Sequence, residues 1–386
     1  MIIHRFAFPT AIHFGAGARK LVAEHLGAQG LERPLIVTDR GIAPLPLLAK
    51  FVADLRRLEV AVYSEIWGNP VKSQVANGVK AFRKHRADSI IGLGGGAALD
   101  VAKAIALMTV HEGDVLEYAW DHPQVRPIEH ELPYFIALPT TAGTGSEVGR
   151  SSVISDDKTH IKKIIFSARL LAKAVFADPE LTLDLPPHIT AATGMDALTH
   201  NVESYLSPAY HPLCDGIALE GARIAGKALR TAVREPHNLH ARSDMLMSSL
   251  MGAIAFQKDL GAVHSCAHAL STVADLHHGL ANGIMIDHVM RFNLSAAAAK
   301  MAELAHVVGA AKHNTEASAA AFVDWLAALK RDLAIPATLS AYQAKRAVTR
   351  ADIPALVEVA INDTCHQTNP RPCTRADFER IFSEAI

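Results

Sequence analysis

Four kinds of feature are scarce in this chain, and each shortage narrows what it can be. Cysteine occurs four times in 386 residues, at Cys214, Cys266, Cys365 and Cys373, with no C-x-x-C pair. A disulfide-stapled secreted scaffold is therefore excluded, and reduced thiols are expected. Aromatic residues make up 6% of the chain, too few for platforms on which bases stack. The formal net charge is −1, which gives no basic stripe for nucleic acid or for an anionic membrane. No apolar run approaches the length of a bilayer span. The opening MIIHRFAFPTAIHFG also lacks a basic segment followed by an apolar one. A soluble cytoplasmic protein, with neither nucleic-acid nor membrane partner, is the expectation.

What is present is half hydrophobic and one-fifth charged, a globular balance, in a chain too long for one core. The first half alternates short apolar runs with helical stretches. PLIVTD (34–39), EVAVYSEI (59–66), SIIGLGGG (89–96), YFIALPTT (134–141) and AVFADPEL (174–181) read as buried strands. Strands of that kind, separated by helices, predict a parallel sheet covered on both faces. The double proline at 186–187 breaks the pattern. Beyond it, segments such as AAAAKMAELAHVVGAA and AAAFVDWLAALKRDLA are strong helix formers. The expectation is an α/β domain over 1–183 and an all-helical domain over 184–386.

Three loops at strand ends attract attention. GLGGGA (92–97) follows a strand and opens a helix, where backbone N–H groups and the helix N-terminus can hold a pyrophosphate. Its spacing matches G-x-G-x-x-A, yet it does not follow the first strand, and no acidic partner lies about 20 residues on. Asp39, ending another strand, is placed to bond a ribose hydroxyl and favour NAD; the neighbouring Arg40 keeps NADP open. A helix cap is the ordinary alternative for such an Asp. PTTAGTGSE (139–147) offers hydroxyls and supple backbone where open α/β sheets bind ligands.

The chain has 21 histidines, so position must distinguish them. Asp196 and His200 are four apart in GMDALTHN, as are His264 and His268 in HSCAH, and His277 and His278 follow in LHHG. On a helix an i,i+4 pair shares one face. Three imidazoles and a carboxylate suit Fe²⁺ or Zn²⁺. Spacing alone does not choose between His277 and His278.

Together these stretches carry a resemblance. GGGAALDVAKAIA, PTTAGTGSEV, ATGMDALTHNVESYLSP and HSCAHALSTVADLHHGLANGIMIDHVMRFN resemble, in order and spacing, the signatures of the iron-containing (group III) alcohol dehydrogenases. The resemblance runs from FGAGA near the N-terminus to at least Asn293. It implies a Rossmann-like nucleotide-binding domain and a helical metal-binding domain, in the dehydroquinate synthase-like architecture, with the active site between them. It implies Asp196, His200, His264 and His278 as metal ligands. His268 is implied as the histidine that faces the nicotinamide and relays a proton. Gly95, Gly96, Ala97 and Ala98 match the pyrophosphate loop, Asp39 the adenosine-ribose carboxylate and Asn69 a position on the adenine side. Thr140, Thr141 and Thr144 match the loop near the nicotinamide, and Lys162 matches a cofactor-contacting lysine. The chain departs from the family at Ala97, where Ser is usual, and at Ala269 and Ser271, where Pro and Gly are frequent. These departures bear on substrate identity more than on reaction type.

The expected activity is reversible hydride transfer between a small alcohol and NAD, with NADP open. Fe²⁺, or Zn²⁺ in its place, would act as a Lewis acid on the substrate oxygen. A homo-oligomer, at least a dimer, is implied. The alternatives are a zinc-dependent glycerol dehydrogenase-like or a maleylacetate reductase-like enzyme of the same superfamily. A nucleotide-binding protein with a structural metal is the alternative from another class.

Overall fold

The structure is a computed structural model that describes residues 6–8, 10–159, 161–342 and 346–386. By backbone proximity it divides into two units. One comprises Phe8–Thr141 and Gly145–Leu183; the other contains Asp184–Ile386 together with Ala142–Thr144 and, of the described N-terminal residues, Phe6 and Ala7.

The first unit is built on β1 (Ala11–Phe14), β2 (Pro34–Val37), β3 (Ala61–Tyr63), β4 (Ser89–Gly94), β5 (Tyr134–Pro139), β6 (Ser151–Ser155), β7 (Lys162–Phe166) and β8 (Ala174–Ala177). Its helices are α1 (Val22–Ala28), α2 (Pro46–Asp54), α3 (Lys72–His85) and α4 (Gly96–Val110). Six strands form one parallel sheet in the order β1-β8-β5-β4-β2-β3. Every residue of β2, β4 and β8 is buried, as expected of strands covered on both faces. Val22, Leu26, Phe51 and Leu55 pack against Ile36, Ile91, Ile136 and Phe176 of the sheet to form the core.

All five strands expected from the apolar runs are present. Two further features were not visible as runs. β1 is a four-residue edge strand with only partial burial, so it carries no apolar block. β6 and β7 pair antiparallel in a separate ribbon, SSVIS against KKIIF, whose polar halves dilute the strand signal.

The topology explains the position of the glycine turn. The chain passes from β2 outward to β3, then returns across β2 to β4, and from there proceeds in the opposite direction to β5. The order therefore reverses between β2 and β4. In open α/β sheets the ligand crevice lies beyond the strand C-termini at such a reversal. Asp39 follows β2 and Gly95–Ala98 follow β4, so both stand at the switch point. The glycine turn thus follows β4, the strand across the reversal from β2.

The second unit consists of α5 (Pro187–Leu206), α6 (Pro212–Arg234), α7 (Leu239–Ala255), α8 (Ala262–Ala274), α9 (His278–Val307), α10 (Thr315–Asp332), α11 (Ile353–Asn362) and α12 (Arg375–Ala385), with no strand among its described residues. α5 is central: Thr190–Leu206 are all buried, and α6, α7 and α9 pack around it. Its small residues admit close neighbours. A Cβ at Gly279, the second residue of α9, would come within 2.5 Å of the Ala192 carbonyl oxygen. Two polar side chains of this buried helix find partners inside the unit. Thr199 Oγ1 donates to Met195 O at 2.7 Å, and Asn201 Nδ2 donates to Ser248 O at 3.0 Å. No helix among the described residues is long and apolar enough to cross a membrane.

Candidate functional site

At the switch point, local bonding shapes the nucleotide side. Asp39 Oδ1 accepts from Gly41 N at 2.8 Å and Ile42 N at 3.0 Å, so it also caps the turn after β2. Gly94 has φ of +157°, and a Cβ there would sit 2.6 Å from Ala98 Cβ and 3.4 Å from Asp39 Oδ2. Only glycine meets both demands. Gly95 occupies the N-cap of α4 with no side-chain cap, which leaves the N–H groups of Gly96, Ala97 and Ala98 facing outward from the helix end. Thr140 N donates to Gly94 O at 3.0 Å. The Thr141 side chain lies 3.2 Å from where a Cβ at Gly95 would be. Asp39, Gly95, Gly96, Ala97, Ala98, Thr140 and Thr141 thus gather at adjacent strand ends.

Asn69 and Lys162 gather elsewhere in this unit. Ser155 N donates to Pro70 O at 2.8 Å, Val71 bridges to Ser155, and Ser155 pairs with Lys162 across the ribbon. Thr144 is grouped with the helical unit.

The segment after Thr144 is held by a buried lysine that sequence reasoning passed over. Lys103, fully buried on α4, donates to Ser146 O (2.6 Å), Ser146 Oγ (2.9 Å), Ser151 O (2.8 Å) and Gly149 O (3.2 Å). Asp100, one turn earlier, accepts from Ser146 Oγ at 2.6 Å and Val153 N at 3.0 Å. Burial depresses the Lys103 ammonium, and Asp100 and Glu147 oppose that shift. Glu147 is itself buried with Oε1 unpartnered, and burial pushes its carboxyl up to about 7.

In the helical unit α5, α8 and α9 bring the candidate ligands together. From Asp196 Oδ1, His278 Nε2 is 3.4 Å away, His264 Nε2 3.8 Å and His200 Nε2 3.9 Å. Donors about 2.1 Å from a tetrahedral ion are separated by about 3.4 Å. Asn282 Nδ2 donates to Asp196 Oδ1 at 2.7 Å and lies 3.2 Å from His278 Nε2 and 3.3 Å from His264 Nε2. Lone pairs of three side chains therefore converge on the Asn282 amide nitrogen, whose two hydrogens cannot serve all three. His277 is the N-cap of α9, its Nδ1 accepting from Leu280 N at 3.4 Å.

Glu203, one turn beyond His200, accepts from His264 Nδ1 at 2.6 Å and from Val263 N at 2.7 Å. The bond fixes the proton of His264 on Nδ1 and leaves Nε2 as a lone pair toward Asp196. Burial, then the nearness of His200, His278 and His268, holds His264 well below the usual imidazole range. Burial pushes the Glu203 carboxyl up to about 8. The donor set and its spacing fit Fe²⁺ or Zn²⁺.

His268 stands at the edge of the cluster, its ring stacked on His278 with centroids 5.2 Å apart. Its Nδ1 donates to Asp363 Oδ2 at 2.7 Å. Burial acts to raise the Asp363 carboxyl, but the bonds from His268, Ser265 and the Cys365 amide hold it well below the usual carboxylate range.

Two family models match the chain in tandem. One described as iron-containing alcohol dehydrogenase matches residues 9–179, and the C-terminal model of the Fe-containing alcohol dehydrogenase family matches residues 190–386. The chain belongs to the iron-containing alcohol dehydrogenase family. The 4-hydroxybutyrate dehydrogenase of Cupriavidus necator is 34% identical over 383 residues, 98% of each chain. A solved structure of 1,3-propanediol oxidoreductase superposes with a TM-score of 0.94 at 34% identity, covering 100% of both chains. The sulfoacetaldehyde reductase of Bifidobacterium kashiwanohense, solved in complex with NAD+, gives a TM-score of 0.88 at 28% identity, covering 100% of this chain and 99% of that one.

For an iron-containing alcohol dehydrogenase, three residues around the ligands were missed in the sequence. Glu203 was readable in principle, since Asp196, His200 and Glu203 follow one another at helical spacing on one face. Asn282, four residues after His278, carried a similar signal. Asp363 carried none, being 95 residues from His268 in a stretch with no motif.

Proposed function

We propose that this chain is a metal-dependent, NAD-linked alcohol dehydrogenase and aldehyde reductase acting on short primary alcohols that bear a second polar group. The substrate class follows the names of three relatives, a 4-hydroxybutyrate dehydrogenase, a 1,3-propanediol oxidoreductase and a sulfoacetaldehyde reductase. The single observation that carries the reading is the convergence of Asp196 Oδ1 with the Nε2 atoms of His200, His264 and His278, behind which Glu203 fixes His264.

In this reading residues 1–183 serve as the dinucleotide domain and 184–386 as the metal-binding domain. Asp196, His200, His264 and His278 hold Fe²⁺, with Zn²⁺ the alternative occupant. Bound there, the ion supplies Lewis acidity toward the alcohol or carbonyl oxygen, and NAD accepts or returns the hydride. The N–H groups of Gly95, Gly96, Ala97 and Ala98 bind the pyrophosphate, with no hydroxyl from position 97 to help. Asp39 bonds the adenosine ribose and opposes a 2′-phosphate, which favours NAD over NADP. Asn69, Thr140, Thr141, Thr144 and Lys162 complete the nucleotide contacts. His268 takes the alcohol proton in oxidation and returns it in reduction. The enzyme works in the cytoplasm as a dimer or larger oligomer.

The test is chelated protein reconstituted anaerobically with Fe²⁺ or Zn²⁺ and assayed with NAD and NADP against 1,3-propanediol, 4-hydroxybutyrate and simple alcohols. Metal-dependent NAD reduction is expected, with loss of both metal and turnover in His264→Ala. Turnover by fully chelated protein, or none with any alcohol and either metal, would overturn the reading.

A further inference from the structure

Beyond the four ligands the cluster contains a second built feature. Asp363 sits at the end of α11 and accepts three bonds: from His268 Nδ1 at 2.7 Å, from Ser265 Oγ at 2.7 Å and from the Cys365 amide at 2.9 Å. Ser265 is fixed in turn, its Oγ accepting from His366 N at 2.9 Å. The carboxylate is therefore held from α8 and from the turn after α11, and it has no freedom to leave the imidazole. Its bond places the proton of His268 on Nδ1 and leaves Nε2 as the basic atom. The side chain of His268 is 29% exposed, whereas that of the candidate ligand His264 is 1% exposed, so a small molecule can reach His268.

We propose that Asp363 is a positioning residue that fixes the tautomer and orientation of His268, so that His268 Nε2 exchanges the proton of the alcohol hydroxyl. The proposal rests on the dehydrogenase reading. In oxidation the O–H bond breaks and its proton goes to Nε2. The carbinol C–H bond breaks with its electron pair, which leaves as hydride to NAD, and the carbon–oxygen double bond forms. Reduction reverses each step. A carboxylate behind an imidazole serves in this way without taking the proton itself.

The experiment compares wild type, Asp363→Asn, Asp363→Ala and Asp363→Glu, all metal-loaded. The expected result is a fall in kcat of about 10²- to 10⁴-fold in the Asn and Ala variants, the range that a positioned general acid–base contributes. The alcohol KM, the NADH affinity read by fluorescence and the metal content should stay at wild-type values, and Asp363→Glu should recover much of the rate. Nitrogen-15 histidine spectra of the zinc-loaded protein, assigned with His268→Ala, give a readout that needs no turnover. They should show Nδ1 protonated on His268 in wild type and a mixed tautomer in Asp363→Ala. If Asp363→Ala does not fold, Ser265→Ala, which removes one anchor, should show a smaller kcat loss of the same kind. An unchanged kcat in Asp363→Asn, or a loss of bound metal with it, overturns the proposal; the latter would make Asp363 a metal ligand. Absence of turnover in wild type itself would instead sink the dehydrogenase reading.

Discussion

Glu203 accepts the Nδ1–H of His264 and the amide of Val263, so it orients the His264 ring and caps the helix that carries it. Glu203→Gln keeps the shape but leaves one acceptor oxygen where Glu203 uses two, Oε1 for Val263 N and Oε2 for His264 Nδ1. Metal affinity should fall about 10- to 100-fold, measured by competition with a chelator of known strength. Glu147 gives a test of a different kind, because it is buried and its carboxyl is pushed up to about 7 from an ordinary 4.5. The folded chain then keeps a proton that the unfolded chain releases, so stability falls as pH rises from about 4.5 to about 7. Glu147→Gln removes that loss. Urea midpoints of the two proteins should nearly coincide at pH 4, with the variant more stable by up to about 3 kcal/mol at pH 8. Equal differences at both pH values would mean that Glu147 does not titrate in this range.

Helix starts and helix contacts set the precision of the proposed metal site. His278 is the first residue of α9, and the next, Gly279, lies against the backbone of α5 at Ala192. Gly279→Ala must separate α9 from α5, and His278 moves with it. The expected outcome is a stability loss of about 1–3 kcal/mol, seen as an earlier urea midpoint, with weaker metal retention. Lys103 has the corresponding role on the nucleotide side. Lys103→Met leaves the carbonyls of Ser146, Gly149 and Ser151 without their donor. A loss of about 3 kcal/mol or more is expected, together with weaker NADH binding by fluorescence titration. An unchanged NADH affinity would show that the loop keeps its shape without Lys103.

At this scale the sequence was most readable where burial is complete. β2, β4 and β8 have no exposed residue, so their apolar runs stood out, and α5 and α9 announced themselves by composition. β1 and the β6–β7 ribbon were not readable, because edge strands and polar ladders take their stability from pairing, which leaves little trace in composition.

For the whole molecule, metal loading should couple three helices of one unit, since α5 carries two of the proposed ligands and α8 and α9 carry one each. A ligand that binds only the folded form stabilises it by RT ln(1 + [L]/Kd), about 2.7 kcal/mol at 100 times Kd. Calorimetry of chelated and reloaded protein should show a higher, metal-dependent transition for the helical unit. No shift on loading would separate these residues from metal binding.

The sequence by itself determined what is local. Helical spacing put Asp196 with His200 and His264 with His268, strand runs set the parallel sheet, and four ordered motifs carried the family. These follow from short-range geometry, which a chain expresses wherever it folds. Only the tertiary structure decided which distant groups meet. It placed Glu203 behind His264, 61 residues away, Asp363 behind His268, 95 away, and Asn282 against Asp196, 86 away. It also turned His277 to capping α9 and His278 toward Asp196. Adjacent histidines are indistinguishable by spacing at a helix start, and the direction in which each side chain points is fixed by what packs against that helix.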